Sequence, residues 1–241
     1  MKIAIIGAGA IGCVIAAYFT KVEEEVVLIA KEAQAEVINK GGLKVSGVRG
    51  EELIKAKVLT ELDKAYDLVI FTTKTQDLEF AYQANHKFLD DSLILTCQNG
   101  VQADNILSAH FEKEQVFSSI VMFGSTYTKP GEVVFNCEGD WIIGRPFTPV
   151  DFKTHALADV LRKAFSVVVS TDIMGMKYLK LFVDFNNCIP ALLGQSMQET
   201  FADLSFCRLS VMLLKEGIEI IKKANIELVS LPQSSVERVC G

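Results

Sequence analysis

Residues 2–12, KIAIIGAGAIG, decide the fold. Ile3–Ile6 is an apolar run of strand length, glycines follow at Gly7, Gly9 and Gly12, and an alanine-rich apolar segment runs from Ile11 to Phe19. That order predicts strand, tight turn and helix. The polar patch Lys21–Glu25 then gives way to a second apolar run, Val26–Ala30, which completes a β-α-β unit. In that context G-x-G-x-x-G is the fingerprint of a dinucleotide site. Gly7 permits the tight turn, Gly9 lets the backbone approach a pyrophosphate, and Gly12 lets helix and strand pack closely. Free N–H groups at the helix start favour an anion, so the candidate cofactor turn is Gly7, Ala8, Gly9, Ala10, Ile11 and Gly12. The competing reading is a tight turn whose glycines serve packing alone.

Further apolar runs at Leu68–Thr72, Leu93–Cys97 and Val116–Met122 read as strands separated by helical or loop-like segments. The alternation argues for an α/β chain with a parallel, doubly wound sheet. Pro130-Gly131 signals a turn, and Val133–Phe135 with Trp141–Ile143 is expected to form a hairpin. A helix over residues 154–165 and a short strand, Val167–Val169, close a first domain of residues 1–169. From Thr171 onward the pattern is helical. Ser170 or Thr171 is expected to cap the first helix. Met174–Leu193 is mostly apolar, and Pro190 is expected to kink or interrupt it. A second helix spans about residues 203–224, with Asn225 as its stop. Residues 170–241 are therefore expected to be an all-α domain.

Composition narrows the function. Half of the 241 residues are hydrophobic, yet no run approaches the roughly 20 apolar residues of a membrane span. The apolar stretches instead have the length of strands buried on both faces. The net charge is −6 with no basic cluster, which argues against nucleic acid or an anionic membrane surface as partner. Cys13, Cys97, Cys137, Cys188, Cys207 and Cys240 are scattered, with no pair at metal-ligand spacing, so no metal is expected. A disulfide framework does not suit so large and apolar a chain, and a reducing cytoplasm is the expected location. A strand directly after Met1 is read as leaving no signal peptide ahead of the fold.

The end of the second strand bears on the cofactor. An acidic residue there would hold a ribose 2′-hydroxyl, and a basic one would accept a 2′-phosphate. The strand ends Ala30-Lys31-Glu32. Lys31 comes first and points to NADPH. Glu32 favours NAD, and both could be ordinary solvated charges.

Four places carry a resemblance to ketopantoate reductases across nearly the whole chain. They are the glycine turn with Lys31, where that family usually has arginine; Thr72-Thr73-Lys74 after an apolar strand; Gln98-Asn99-Gly100 after Leu93–Cys97; and Lys180-Leu181 followed by Asn187 and Ala191-Leu192-Leu193-Gly194. Pro130-Gly131 and Gly144 also sit as in that family. The resemblance implies a Rossmann-type domain followed by an all-α, 6-phosphogluconate dehydrogenase-like domain, here apparently shortened. It also implies hydride transfer from NADPH to the ketone of ketopantoate or a related 2-oxoacid, and a possible homodimer through the helical domain. The alternative is a nucleotide-binding relative with an incomplete substrate site and no catalysis.

The same resemblance assigns Asn99 to nicotinamide and substrate, Lys74 to cofactor ribose or substrate, and Lys180 to proton donation. The residues themselves leave plainer roles open: a surface lysine at Lys74, a turn residue at Asn99, a snorkelling lysine at Lys180. Reducing a ketone places negative charge on its oxygen, which a cation or proton donor stabilises. Between Leu179 and Leu181 the Lys180 stem is expected to be buried and its pKa lowered. Lys180, Asp184 and Asn187 are spaced i, i+4 and i+7, so one narrow helical stripe is expected to present an amine, a carboxylate and an amide toward the cleft, with Asp184 and Asn187 as candidate substrate-binding residues. Asn186 points about 100° away and is expected to be structural. Asp184 stands where the family usually has asparagine. An ionised carboxylate accepts but does not donate hydrogen bonds, and it would repel an anionic oxoacid. It would also form an i, i+4 ion pair with Lys180. Family members continue through further helices with a serine and a glutamate of the substrate site, and Ser234, Ser235 and Glu237 are not matched to those roles. An apolar face at Val211–Leu214 would then be left for a partner subunit to cover.

Overall fold

The structure, a computed structural model, describes residues 1–240. The chain divides into two compact units. The first comprises Met1–Gln98 and Gln102–Ile173, and the second Asn99–Val101 and the described residues from Met174 onward.

The first unit begins with β1 (Lys2–Ile6), α1 (Ala10–Lys21), β2 (Glu25–Ile29) and α2 (Glu32–Gly41). β3 (Leu43–Gly47), β4 (Glu52–Ile54), β5 (Lys57–Leu59), β6 (Leu68–Phe71), α3 (Leu78–Asn85), β7 (Leu93–Thr96) and α4 (Ala103–Ser108) follow. β8 (Val116–Val121), β9 (Gly124–Lys129), β10 (Glu132–Cys137), β11 (Trp141–Gly144), α5 (Phe152–Leu161) and β12 (Val167–Ser170) complete it.

Eight strands form the main sheet in the order β12-β11-β8-β7-β6-β1-β2-β5. All neighbours are parallel except β8 and β11. The period of two along a strand sorts the apolar residues between the two faces. Ile3, Ile5, Leu28, Ile70, Leu95 and Phe117 join α1 in one buried cluster. Ala4, Ile6, Val27, Val69, Phe71 and Ile94 face Leu78 and Ala81 of α3 and Ala103 and Leu107 of α4 in another. Strands buried on both faces explain the near-continuous apolar runs.

A second sheet, β4-β3-β10-β9, lies over the other side of α1, with Leu43, Val45, Val133 and Phe135 in the same cluster. α1 is thus sandwiched, and every residue from Gly12 to Phe19 is buried. A helix covered on two sides needs to be apolar all round, which is what its alanine-rich sequence provides. The chain after β1 runs toward one sheet edge through β2 and β5, and from β6 toward the other through β7 and β8. β1 and β6 flank that reversal, so the glycine turn and Thr72 lie where open α/β sheets bind ligands.

Three sequence expectations are corrected here. Val133–Phe135 does not pair with Trp141–Ile143. Pro130-Gly131 instead turns β9 into β10, with Gly131 at φ +77°. β11 inserts between β8 and β12 of the main sheet. β9 (GSTYTK) is polar and mostly exposed, so apolar patterning does not reveal it. The fifth helix starts at Phe152, because the Asp151 carboxylate accepts the Thr154 backbone N–H in a capping box. Pro190 does not interrupt its helix.

That helix, α6 (Ile173–Leu193), runs unbroken with Pro190 inside it. Pro190 removes one backbone donor only a turn from the helix end, where Gly194 at φ +66° terminates it. The Ser170 hydroxyl accepts the backbone N–H of Asp172, just ahead of the helix. α7 (Met197–Phe201), α8 (Leu204–Lys223) and α9 (Val236–Cys240) follow. Ser196 with Glu199 caps α7, and Asp203 caps α8. α8 approaches α6 at Gly217, where a Cβ would lie 2.4 Å from the Phe182 ring. The Ser210 hydroxyl on α8 donates to the Asn186 side-chain oxygen on α6.

Candidate active site

The glycine turn is built from requirements of two kinds. Gly7 sits at φ +120°, in the region that favours glycine, and a Cβ there would lie 2.7 Å from the Thr73 backbone nitrogen. A Cβ on Gly12 would lie 1.9 Å from the Gly7 carbonyl oxygen. Both glycines are demanded by the chain's own packing. Gly9 is not: a Cβ there meets nothing within 4 Å. The space beside Gly9 is left for something other than protein.

The carbonyls of the turn are tied back into the fold. Thr72 Oγ1 donates to the Gly7 carbonyl at 2.7 Å. Cys13 Sγ donates to the Ala8 carbonyl at 3.3 Å, and burial pushes the Cys13 thiol up to about 12, so it stays a protonated donor. Gln34 Nε2 donates to the same Ala8 carbonyl and, at 2.8 Å, to the Tyr127 hydroxyl. No side chain caps α1 and no acidic residue lies in its first turn. Its N-terminal N–H groups and positive dipole end therefore suit an anionic group. These residues fit a dinucleotide pyrophosphate. Gln34 and Tyr127 carried no signal in the sequence, because Gln34 meets a backbone carbonyl and Tyr127, on β9, meets Gln34, both from distant segments.

Lys31 and Glu32 stand at the start of α2, both exposed, and neither side chain has a hydrogen-bond or ion-pair partner among the described residues. Lys74 is exposed just past β6, ahead of a short 3-10 turn. At the end of β7 lies a buried network that patterning did not reveal. Thr96 Oγ1 donates to Asp104 Oδ1 at 2.6 Å and Ser118 Oγ to Asp104 Oδ2 at 2.9 Å. A carboxylate only 1% exposed, in the first turn of α4, thus ties that helix to β7 and β8.

In the second unit, Lys180, Asp184 and Asn187 share one stripe of α6 and hydrogen-bond to one another. Lys180 Nζ lies 3.3 Å from each Asp184 carboxylate oxygen and donates to Asn99 Oδ1 at 3.2 Å. Asn187 Nδ2 donates to Asp184 Oδ1 at 3.4 Å. The Lys180 side chain is 14% exposed and that of Asp184 23%. Asn186 faces Ser210 instead. Gly100, at φ +85°, allows the sharp turn that follows Asn99. The arrangement is an amine held at its tip by a carboxylate and an amide oxygen.

A doubly wound sheet with this glycine turn at its reversal point defines a Rossmann-type dinucleotide-binding protein. Residues 3–146 match the family described as ketopantoate reductase PanE/ApbA, and the chain belongs to that family. Its members are oxidoreductases. The chain is 28% identical over 230 residues to a 2-dehydropantoate 2-reductase of Pyrococcus horikoshii, spanning 94% of this chain and 75% of the relative. A PanE/ApbA family ketopantoate reductase of Ralstonia eutropha superposes with a TM-score of 0.86 at 25% identity, covering 95% of this chain and 76% of the other. D-mandelate dehydrogenase, in a ternary structure with NADH and anilino(oxo)acetate, gives a TM-score of 0.85 at 25% identity, with 95% and 76% covered. No helix among the described residues is long and apolar enough to cross a membrane.

Proposed function

We propose that this protein is an NADPH-dependent reductase of 2-oxoacids, with 2-dehydropantoate or a near relative as substrate and Lys180 as proton donor. The observation that carries the reading is the Lys180 amine, held between the Asn99 amide oxygen and the Asp184 carboxylate in a chain of this family.

A nicotinamide dinucleotide, when bound, supplies the hydride. The backbone of Gly7, Ala8, Gly9, Ala10, Ile11 and Gly12 would hold its pyrophosphate, Lys31 a 2′-phosphate, and Lys74 a ribose hydroxyl or the substrate. Asn99 would contact the nicotinamide and the substrate. Lys180 in its ammonium form stabilises the charge that develops on the ketone oxygen and gives a proton to it. The product is the 2-hydroxy acid, and solvent returns a proton to the neutral amine. Asp184 keeps a negative charge beside the amine, and Asn187 orients that carboxylate. Asp184 changes the pocket at a position where the family usually has asparagine, so relatives of 2-dehydropantoate are candidates alongside 2-dehydropantoate itself. The apolar side chains Leu204, Val211 and Met212 of α8 are exposed and suit a homodimer through the helical unit.

The test is NADPH oxidation by the purified protein with a panel of 2-oxoacids that includes 2-dehydropantoate and an aryl 2-oxoacid. Turnover on any of them supports the reading. Cofactor binding with no turnover across the panel would replace it with a binding protein, and absence of binding would remove both.

A further inference from the structure

We propose that Gln98 is a positioning residue whose carboxamide clamps the Thr72–Lys74 segment and so holds both the glycine turn and Lys74 in register for the cofactor. The consequence for the cofactor rests on the function proposed above, whereas the clamp itself does not.

The backbone ladder between β6 and β7 ends at the pair Phe71 and Thr96. Past it, Cys97 N still donates to the Phe71 carbonyl at 3.1 Å. From there the Gln98 side chain takes over. Its Nε2 donates to the Phe71 carbonyl and to the Thr73 carbonyl, both at 2.9 Å. A side-chain amide thus does the pairing that the next backbone groups of β7 do not. On its other side the same segment is pinned to β1. Thr72 N donates to the Ile6 carbonyl at 2.9 Å, and Thr72 Oγ1 to the Gly7 carbonyl. The Thr73 backbone nitrogen lies against Gly7, as the 2.7 Å Cβ clearance shows. Thr72 and Thr73, which form the wall of the glycine turn and lead into Lys74, are therefore gripped from both neighbouring strands.

Packing alone does not account for glutamine here. Gln98 is 6% exposed, and its Oε1 is buried without a hydrogen-bond partner among the described residues. An unpaired buried carbonyl is costly, and an aliphatic side chain of similar length would fill the space without that cost. What only the amide supplies is the pair of donors to Phe71 and Thr73.

The experiment uses Gln98→Met, which keeps length and apolar volume and has no N–H. Amide hydrogen exchange over residues 72–74 of the unliganded protein should accelerate at least fivefold. NADPH titration should show a Kd raised five- to tenfold. In a Lys74→Ala background the same change should raise Kd by a smaller factor, because only the part of the effect carried by the glycine turn remains. Unchanged exchange would overturn the clamp. Unchanged Kd would overturn its role toward the cofactor, and an equal effect in both backgrounds would overturn the part that passes through Lys74. If the unsubstituted protein binds neither NADPH nor NADH, the functional reading fails while the exchange result still decides the clamp. Should Gln98→Met not fold, Gln98→Glu, which presents a carboxylate to the same two carbonyls, gives the same two readouts.

Discussion

In the function proposed above, Lys180 is the residue whose removal should separate chemistry from binding. Lys180→Met keeps the stem that lies along α6 and deletes the donor, so kcat should fall by about 10²–10⁴, the usual contribution of a positioned acid. NADPH affinity, measured by titration, should stay within twofold. Asp184→Asn removes the charge that opposes an anionic substrate and keeps a group able to contact Lys180. The KM for anionic 2-oxoacids should fall, and steady-state kinetics on the panel would read it. Equal or higher KM would mean that the carboxylate does not face the substrate. Lys31→Ala should cut the preference for NADPH over NADH by about tenfold, the equivalent of about 1.4 kcal/mol, as a ratio of kcat/KM values. The polar stripe at Lys180, Asp184 and Asn187 was legible in the sequence because helical spacing alone puts those positions on one face. The hold of Gln34 on the turn, with Tyr127 behind it, was not, since Gln34 and Tyr127 are 93 apart and no local pattern joins them.

Gly9 and Gly12 make opposite predictions about the element they open. Gly12→Ala drives a methyl onto the Gly7 carbonyl and should destabilise the fold by at least about 3 kcal/mol, the upper part of the overpacking range. Gly9→Ala meets no protein atom, so the Tm of the unliganded protein should hold while NADPH affinity falls tenfold or more. A loss of Tm in Gly9→Ala would show that the space is structural. At α5, burial would by itself raise the Asp151 pKa. The Thr154 backbone and hydroxyl, with the Arg145 guanidinium, overcome that and hold it near 2, below the ordinary 3.8. A lowered carboxylate pKa stabilises the fold above the unfolded value and ceases to do so as pH falls through the folded one. The stability advantage of the protein over Asp151→Asn, from urea unfolding, should therefore be constant above about pH 5 and shrink from about pH 4 toward pH 2. Strands such as β1, β6 and β7 announce themselves because both faces are buried. β9, β4 and β5 do not, since they are short or polar, and their place is fixed by pairing with distant segments. β11 shows the same limit: its apolar run was visible, and its neighbours, β8 and β12, were not.

On the scale of the whole molecule, cofactor binding and stability are linked. NADPH at about 100 times its Kd should add about 2.7 kcal/mol, a rise in Tm of roughly 5–10 °C for a domain of this size. Differential scanning fluorimetry with NADPH, NADH and neither would measure it. A larger shift with NADH would reverse the assignment of Lys31. Sedimentation at several concentrations would show whether the apolar side of α8 brings two chains together.

Trp141 is the single tryptophan of the chain. It is fully buried in the first unit, with its ring 5.4 Å from Phe165 and 5.9 Å from Phe123. Its intrinsic emission is consequently a built-in reporter for the first unit. A red shift will register water reaching the sheet, and melting confined to the helical unit will leave that emission unchanged. Emission and helical circular dichroism followed through the same ramp will therefore resolve whether the two units melt in one transition or in two.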